Sequence, residues 1–338
     1  MTTTRIEISY KTILFAFAVA IALWLIVQVL QILVLLFVAL ILVSTFHSPV
    51  DKLSQYHIPR AVSILIIYLL FLTIVGIFIG IIIPPLVEQI GNFGTRIPEV
   101  SRNLDVFLAS YKVPTANVTD AFTKEFSGIG SNALRLTFGL LDSFISIITL
   151  LVLTFYMLLQ WQQVVKLISS VFSGKSEQRA IKIINDIQKG LGAWVRGELT
   201  LVLVVGLLSF VGLTILGIPY ALPLAVIAGL LEIVPVVGPI ISSVPAIAAA
   251  LLISPVFALA TAALYFVIQQ LENHLIVPTV MNRAVGLNPL ATIIALMVGG
   301  RLLGIGGAIL AVPIVVVLKI IVSDILENRP ARESHQEG

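Results

Sequence analysis

Apolar residues run through this chain in long blocks, and the polar positions between them fall at very uneven spacings. About 20 apolar residues cross a bilayer as a helix, at 1.5 Å per residue. Residues 12–46 form a stretch of 35 residues without a charge, too long for one upright span. Gln28 and Gln31 are its only polar break before Ser44. The pattern predicts two short spans joined near these glutamines, with a single long tilted helix as the competing reading. Residues 47–60 then read as a loop carrying His47, Asp51, Lys52, His57 and Arg60. Residues 61–83 form a clean span stopped by Pro84 and Pro85. Within it Gly76 and Gly80 have the spacing that lets two helices approach closely.

Residues 84–142 change character. Charges of both signs appear, and Leu104, Phe107, Leu108 and Tyr111 recur at helical spacing. Amphipathic helices outside the membrane, or lying on it, are the expectation. Residues 143–160 form the next span. Residues 161–198 are charged again, with an amphipathic repeat at Ile181, Ile184, Ile187 and Leu191. Residues 199–217 cross once more, and residues 256–277 form an ordinary span.

Two apolar segments are interrupted, each too long for one span. Residues 221–253 contain Pro223, Glu232, Pro235, Gly238, Pro239 and Pro245. Residues 288–321 contain Gly299, Gly300, Arg301, Gly304, Gly306, Gly307 and Pro313. Backbone lacking helical hydrogen bonds survives at membrane depth only when buried in protein or lining a wet cavity. Paired Gly/Pro-interrupted segments are a pointer to the substrate site of secondary transporters. Both segments therefore predict helical hairpins that converge near the midplane, against the plainer reading of kinked helices. Glu232 is a carboxylate at membrane depth and so a candidate to carry a proton or bind a cation. Gln269, Glu272 and Asn273 share one helical face, with Gln270 and His274 beside it, and together suit a polar cavity or gate. Arg301 is placed to pair with Glu232 or Glu272, or to bind an anionic group.

Composition sharpens the class. The 338 residues are 59% hydrophobic and 11% charged, too few charges to cover a water-facing surface. The solvent for most of the chain is lipid. The net charge of +3 gives no reason to expect a nucleic-acid partner, and the absence of cysteine removes disulfides and thiolate ligands. Six Lys or Arg lie in 161–198 and five in the longer 84–142 segment. By the positive-inside rule both termini are cytoplasmic and 84–142 faces outward. Arg5 and Lys11 precede an apolar run longer than a secretory leader, so that run reads as an anchor. The string Ser169–Ser176 ends like a phosphate loop but lacks its first glycine, and Asn117-Val118-Thr119 fits a glycosylation triplet. The four histidines form no metal spacing, and no nucleophile motif is present, so neither a metal nor an enzyme is expected.

The C-terminal half resembles the AI-2E family of transporters. The resemblance runs through Arg196-Gly197-Glu198, Leu216-Gly217-Ile218-Pro219-Tyr220, and then Glu232-Ile-Val-Pro235-Val-Val-Gly238-Pro239 followed by Pro245. It continues with Gln269-Gln270-Leu-Glu272 and Pro278, then Gly286-Leu287-Asn288-Pro289, Gly299-Gly300, Gly304, Gly307 and Pro313. Glu232 and Arg301 depart from the uncharged residues that many members carry. The resemblance implies a multi-pass inner-membrane transporter without a cofactor, coupled to H⁺ or Na⁺. Export of autoinducer-2 and sodium or lithium/proton antiport are both associated with members, as are homo-oligomers, pentamers among them.

The resulting expectation is an all-α integral membrane protein with about six transmembrane helices and two Gly/Pro-broken hairpins. Its divisions are N-terminal helices at 1–83, an extramembrane helical region at 84–142, and a span with a cytoplasmic helix at 143–198. A transport core at 199–322 and a disordered tail at 323–338 complete it. The expected partners are the bilayer, a small solute or monovalent cation, and further copies of the chain. The expected function is export of a small organic solute such as autoinducer-2. Na⁺(Li⁺)/H⁺ antiport is the alternative, and a membrane scaffold or assembly protein is the reading of another class.

Overall fold

A computed structural model describes residues 10–110, 144–235, 237–281, 286 and 289–327. Among these residues the structure is helical throughout, with no strand. Helix α1 spans Tyr10–Ser54 and α2 spans Arg60–Ser110. Helix α3 (Phe144–Leu159) meets α4 (Trp161–Ser169) at a bend of 77°. Helix α5 (Lys175–Ile215) is followed by α6 (Ala221–Leu231), α7 (Val237–Leu251) and α8 (Pro255–Leu271). A π-helical turn at Glu272–Ile276 leads into the short α9 (Val277–Met281), and α10 covers Pro289–Glu327. Among the described residues five helices are long and apolar enough to cross a membrane, or six if α3 and α4 make one span.

Several expected boundaries are corrected. Residues 12–46 are not two spans, because α1 is one unbroken helix of 45 residues. Gln28 and Gln31 interrupt only the hydropathy; glutamine is a good helix former and leaves the backbone ladder intact. At about 67 Å, α1 is more than twice as long as a bilayer core is thick. The helix also continues through most of the expected 47–60 loop, and only residues 55–59 turn the chain into α2. Second, α2 does not stop at Pro84 and Pro85 but carries on to Ser110, so the start of the expected extramembrane region is one helix with the preceding span. Residues 111–142 of that region lie outside the described residues. Third, the amphipathic helix of 161–198 and the span of 199–217 are a single helix, α5. Helix α10 likewise runs five residues into the expected tail, to Glu327; residues 328–338 lie outside the described residues.

The turn between α1 and α2 is held by side chains. Arg60 Nη2 lies 3.2 Å from Asp51 Oδ1, His47 Nδ1 lies 2.9 Å from Asp51 Oδ2, and Arg60 Nε donates to the Leu158 carbonyl at 3.0 Å. Above this, Val43, Phe46, Ile64, Tyr68, Leu158 and Trp161 form a buried cluster joining α1, α2, α3 and α4. The Tyr68 hydroxyl donates to the Leu151 carbonyl at 3.1 Å, tying α2 to α3.

The end of α5 is written in the sequence. Gly217 takes φ +65°, its N–H donates to the Thr214 carbonyl at 3.0 Å, and Ile218 N–H donates to the Leu213 carbonyl at 2.9 Å. This is the Schellman arrangement, closed by contact of the buried Leu213 and Ile218, and Pro219 prevents continuation. The chain then reverses into α6. At the far side of the first hairpin, Ser254 caps α8, its Oγ accepting from Phe257 N–H at 3.4 Å with Pro255 at the first helical position.

Both interrupted segments are hairpins. Helices α6 and α7 have 11 and 15 residues, about 16 and 22 Å, each short of a full crossing. They pack against α5 and α8 around Leu213, Leu224, Ala228, Ala246, Ala249 and Tyr265. Helix α10 folds back at Leu303 (φ −130°, ψ 15°) and Gly304 (φ 62°, ψ −143°). Its arms touch backbone to backbone: a Cβ on Gly307 would lie 2.0 Å from the Gly299 carbonyl oxygen, and one on Gly299 would lie 2.3 Å from that of Gly307. The second arm packs on α1 and α5 through Ile41, Leu191, Trp194, Leu310, Val312 and Val316. Among the described residues the two hairpins share no extensive packed interface. The first sits between α5 and α8, while the second is bound to α5 by another face.

Candidate functional site

Glu232 lies in the turn that joins α6 to α7, at the tip of the first hairpin. Chain reversal there is forced by close packing. Gly238 N–H donates to the Val234 carbonyl at 2.9 Å, and a Cβ on Gly238 would lie 1.9 Å from the Leu231 carbonyl oxygen. Only glycine leaves room for this return. On the other side, Gly229 of α6 lies against Gly206 and the Val202 carbonyl of α5, so the hairpin sits flush on that helix.

The tip delivers Glu232 to two other carboxyl groups. Glu272 opens the π-turn after α8, and Glu198 lies on α5 where the charged first half gives way to the apolar second half. Glu232, Glu272 and Glu198 retain only 1%, 4% and 5% of their surface. Glu232 and Glu272 are within hydrogen-bonding reach of one another, and Glu198 faces both electrostatically. Gln269 Nε2 donates to Glu272 Oε2 at 3.0 Å. Among the described residues no Lys or Arg pairs with any of the three. Glu198 Oε1 and Glu232 Oε2 are buried without a hydrogen-bond partner among the described residues. A buried ion is costly unless paired. Two carboxyls can share a hydrogen bond only when one holds a proton, because an ionised carboxylate only accepts. The arrangement is chemically suited to taking up and releasing protons. Among the described residues no three His, Cys, Asp or Glu side chains form a group able to hold a metal ion.

The other candidates from the sequence are distributed differently. Gln269 joins the trio through Glu272, whereas Gln270 and Asn273 are exposed. The expected 269/272/273 face is split: Glu272 is buried at the start of the π-turn, while Asn273 is exposed. Pro278 has no N–H for the His274 carbonyl. His274 Nδ1 instead donates to the Gln270 carbonyl at 2.9 Å. Arg301 is exposed near the apex of the second hairpin and forms no ion pair with Glu232 or Glu272. Pro235, Gly238 and Pro239 build the first hairpin's tip, and Pro245 lies inside α7. Gly299 and Gly307 form the second hairpin's crossing, and Gly304 forms its reversal. Gly300 faces open space, and Pro313 is buried within the second arm. Glu198 is the residue that sequence reasoning left out of the site. Its place among charged neighbours suggested a solvated loop, although a glutamate followed by 33 uncharged residues, 199–231, was a signal.

Several membrane-length helices and two hairpins define the class as a polytopic α-helical membrane protein. The chain belongs to the AI-2E family: the model described as AI-2E family transporter matches residues 13–327. It is 29% identical over 301 residues to "Putative transport protein YrrI" of Bacillus subtilis (strain 168), covering 86% of this chain and 85% of that one. It is 28% identical over 289 residues to "Putative transport protein YueF" of the same organism, covering 80% and 78%. With "Putative permease PerM" of Escherichia coli (strain K12) it shares 24% identity over 317 residues and 88% of each chain.

Proposed function

We propose that this protein is a secondary transporter of the inner membrane that exports a small organic solute, such as autoinducer-2, in exchange for protons. The observation that carries the coupling is the buried trio Glu198, Glu232 and Glu272, drawn from three separate elements and lacking a basic partner among the described residues. Such a trio changes its net charge when the elements holding it move apart. Glu232 rides on a hairpin of two half-length helices, and Glu198 and Glu272 on full-length ones. Displacement of the hairpin tip would separate Glu232 from Glu272, release the shared proton and open a path beside α5. The solute itself comes from the family resemblance, and homo-oligomeric assembly comes with it.

Cation/proton antiport is the second reading. It is favoured by the same feature: an anionic cluster with no Lys or Arg to neutralise it attracts any monovalent cation that reaches it. Purified protein in sealed liposomes with a trapped pH-sensitive dye separates the readings. Proton movement on addition of labelled autoinducer-2, lost in Glu232→Gln, supports solute exchange. Proton release driven by sodium or lithium alone, also lost in Glu232→Gln, supports antiport. Wild-type rates in Glu232→Gln under either gradient would remove the trio from the mechanism.

A further inference from the structure

Helix α4 leaves the end of α3 at 77° and presents three flanks. Trp161, Val165 and Ser169, four residues apart, form the covered one, and Trp161 and Val165 pack into the cluster that joins α1, α2 and α3. Val164, Leu167, Ile168 and Val171 follow the i, i+3, i+4, i+7 pattern of a second apolar flank. Little among the described residues covers it. Leu167 and Val171 keep 72% and 80% of their surface exposed, and Ile168 and Phe172 are exposed beside them. Gln162, Gln163, Lys166 and Ser170 make the third flank, polar and exposed.

The depth of α4 follows from its neighbours. The α3–α4 corner sits beside the His47–Asp51–Arg60 cluster: Arg60 Nε donates to the Leu158 carbonyl, and the Trp161 ring meets the His47 ring edge-on with 6.1 Å between centroids. Helix α3 itself carries no charge along its 16 residues. A charged cluster at the end of an uncharged run marks the edge of the hydrocarbon, so α4 turns away from α3 at headgroup depth. An amphipathic helix at that depth lies in the interface with its apolar side in the acyl chains. The charges agree with this. Residues 161–182 hold Lys166, Lys175, Arg179 and Lys182 against Glu177 alone. Lys175, Arg179 and Lys182 line one surface groove with Asp324. Arg179 is committed to Asp324, whereas Lys166, Lys175 and Lys182 are exposed and form no ion pair among the described residues. The Lys and Arg excess of 161–198 assigns this end to the cytoplasmic side, whose leaflet carries anionic lipid.

We propose that α4 is an interfacial helix seated on the cytoplasmic leaflet, with Val164, Leu167, Ile168 and Val171 among the acyl chains and Lys166, Lys175 and Lys182 on the phosphates of anionic phospholipids. Lysine suits this place, because its apolar stem lies along the helix while the ammonium reaches the phosphate level. Lipid fits the uncovered flank better than a second copy of the chain, since two copies docked by this flank would set the same lysines against each other. Helix α5 is unbroken from Lys175 past Glu198. The leaflet therefore holds the near end of the rod that carries one carboxyl of the trio, a fixed frame for the hairpin that carries Glu232. The seating of α4 does not depend on the trio moving protons.

The chain has no cysteine, so a single introduced one gives a unique labelling point. Leu167→Cys, Val171→Cys and Gln163→Cys, each in the full chain with an environment-sensitive fluorophore, are reconstituted in phosphatidylcholine bilayers containing phosphatidylglycerol. The probes at 167 and 171 should be quenched by a nitroxide near the top of the acyl chain more than by one near its end, and the probe at 163 by aqueous iodide. Nitroxide-labelled phosphatidylglycerol should quench the probe at 171 at a mole fraction at least about fivefold below that needed with labelled phosphatidylcholine, the weight of one basic residue at the surface. That preference should vanish when Lys166→Gln, Lys175→Gln and Lys182→Gln are combined, and should shrink at high salt. Iodide quenching at 167 and 171 as strong as at 163 would overturn the seating. So would stronger quenching by the deep nitroxide, the mark of a broken span, or shielding from every quencher, the mark of a protein partner. Equal quenching by the two lipids, or a preference that survives the triple substitution, would overturn the anionic-lipid site.

Discussion

Replacing Gly238 by alanine adds one methyl group at the most crowded backbone contact of the first hairpin. Its Cβ would stand 1.9 Å from the Leu231 carbonyl oxygen, 2.5 Å from its carbon and 3.1 Å from Glu232 N, where separations below 3.0 Å are essentially never tolerated. The obstacle is backbone on both sides, so no side chain can swing aside. Residue 237–238 backbone and the Leu231–Glu232 peptide must separate by at least about 1.1 Å. Overpacking of this kind costs about 1–3 kcal/mol, and rigid backbone against backbone falls at the upper end. The midpoint of thermal unfolding in detergent should drop by on the order of 1–4 °C. The same movement displaces Glu232 relative to Glu272, so proton-coupled transport should fall even at temperatures where the variant is folded. Gly300→Ala is the control, because a Cβ there meets nothing within 4 Å. If Gly238→Ala unfolds at the wild-type temperature and transports at the wild-type rate, the tip is not built by the close packing described, and the placement of Glu232 loses its cause.

Gly307→Ala places its methyl 2.0 Å from the Gly299 carbonyl oxygen and should cost about 1–3 kcal/mol by the same unfolding measurement. Gly304→Ala meets no neighbour, but its φ of 62° with ψ of −143° belongs to glycine, so it should cost about 1–3 kcal/mol through backbone strain alone. Arg179 donates from Nε to the Asp324 carboxylate and from Nη2 to the Asp324 carbonyl at 2.9 Å, tying α5 to the end of α10. Because the arginine is 39% exposed, Arg179→Ala should cost only about 0.2–1 kcal/mol, and the difference from wild type should shrink as salt is added.

The membrane class was legible because it follows from local composition: long uncharged apolar blocks have no other stable solvent. Both hairpins were legible for a related reason, since clustered Gly and Pro mark where a helix cannot continue in lipid. The Schellman end of α5 at Leu216-Gly217-Ile218-Pro219 is equally local, each residue having its own role in the stop. Gln28 and Gln31 misled because a polar side chain breaks a hydropathy plot without breaking a helix. Pro84 and Pro85 misled in the opposite direction: they remove backbone donors, yet the helix on either side continues past them.

Tertiary structure alone decided which polar groups meet. Glu232 and Glu272 are 40 residues apart and Glu198 lies 34 before Glu232, and no sequence periodicity relates a hairpin tip to the flanks of two other helices. Their meeting depends on close approaches such as Gly229 on Gly206, which only the packed chain reveals. Arg301, the obvious countercharge by sequence, stays exposed on the other hairpin, because that hairpin is held by a different face of α5. The sequence by itself determined the solvent, the helices and the two reversals, since those depend on hydropathy and backbone chemistry read over a few neighbouring residues. Only the fold determined that three carboxyls share one buried site, since that depends on which helix faces come together over distances the local pattern does not encode.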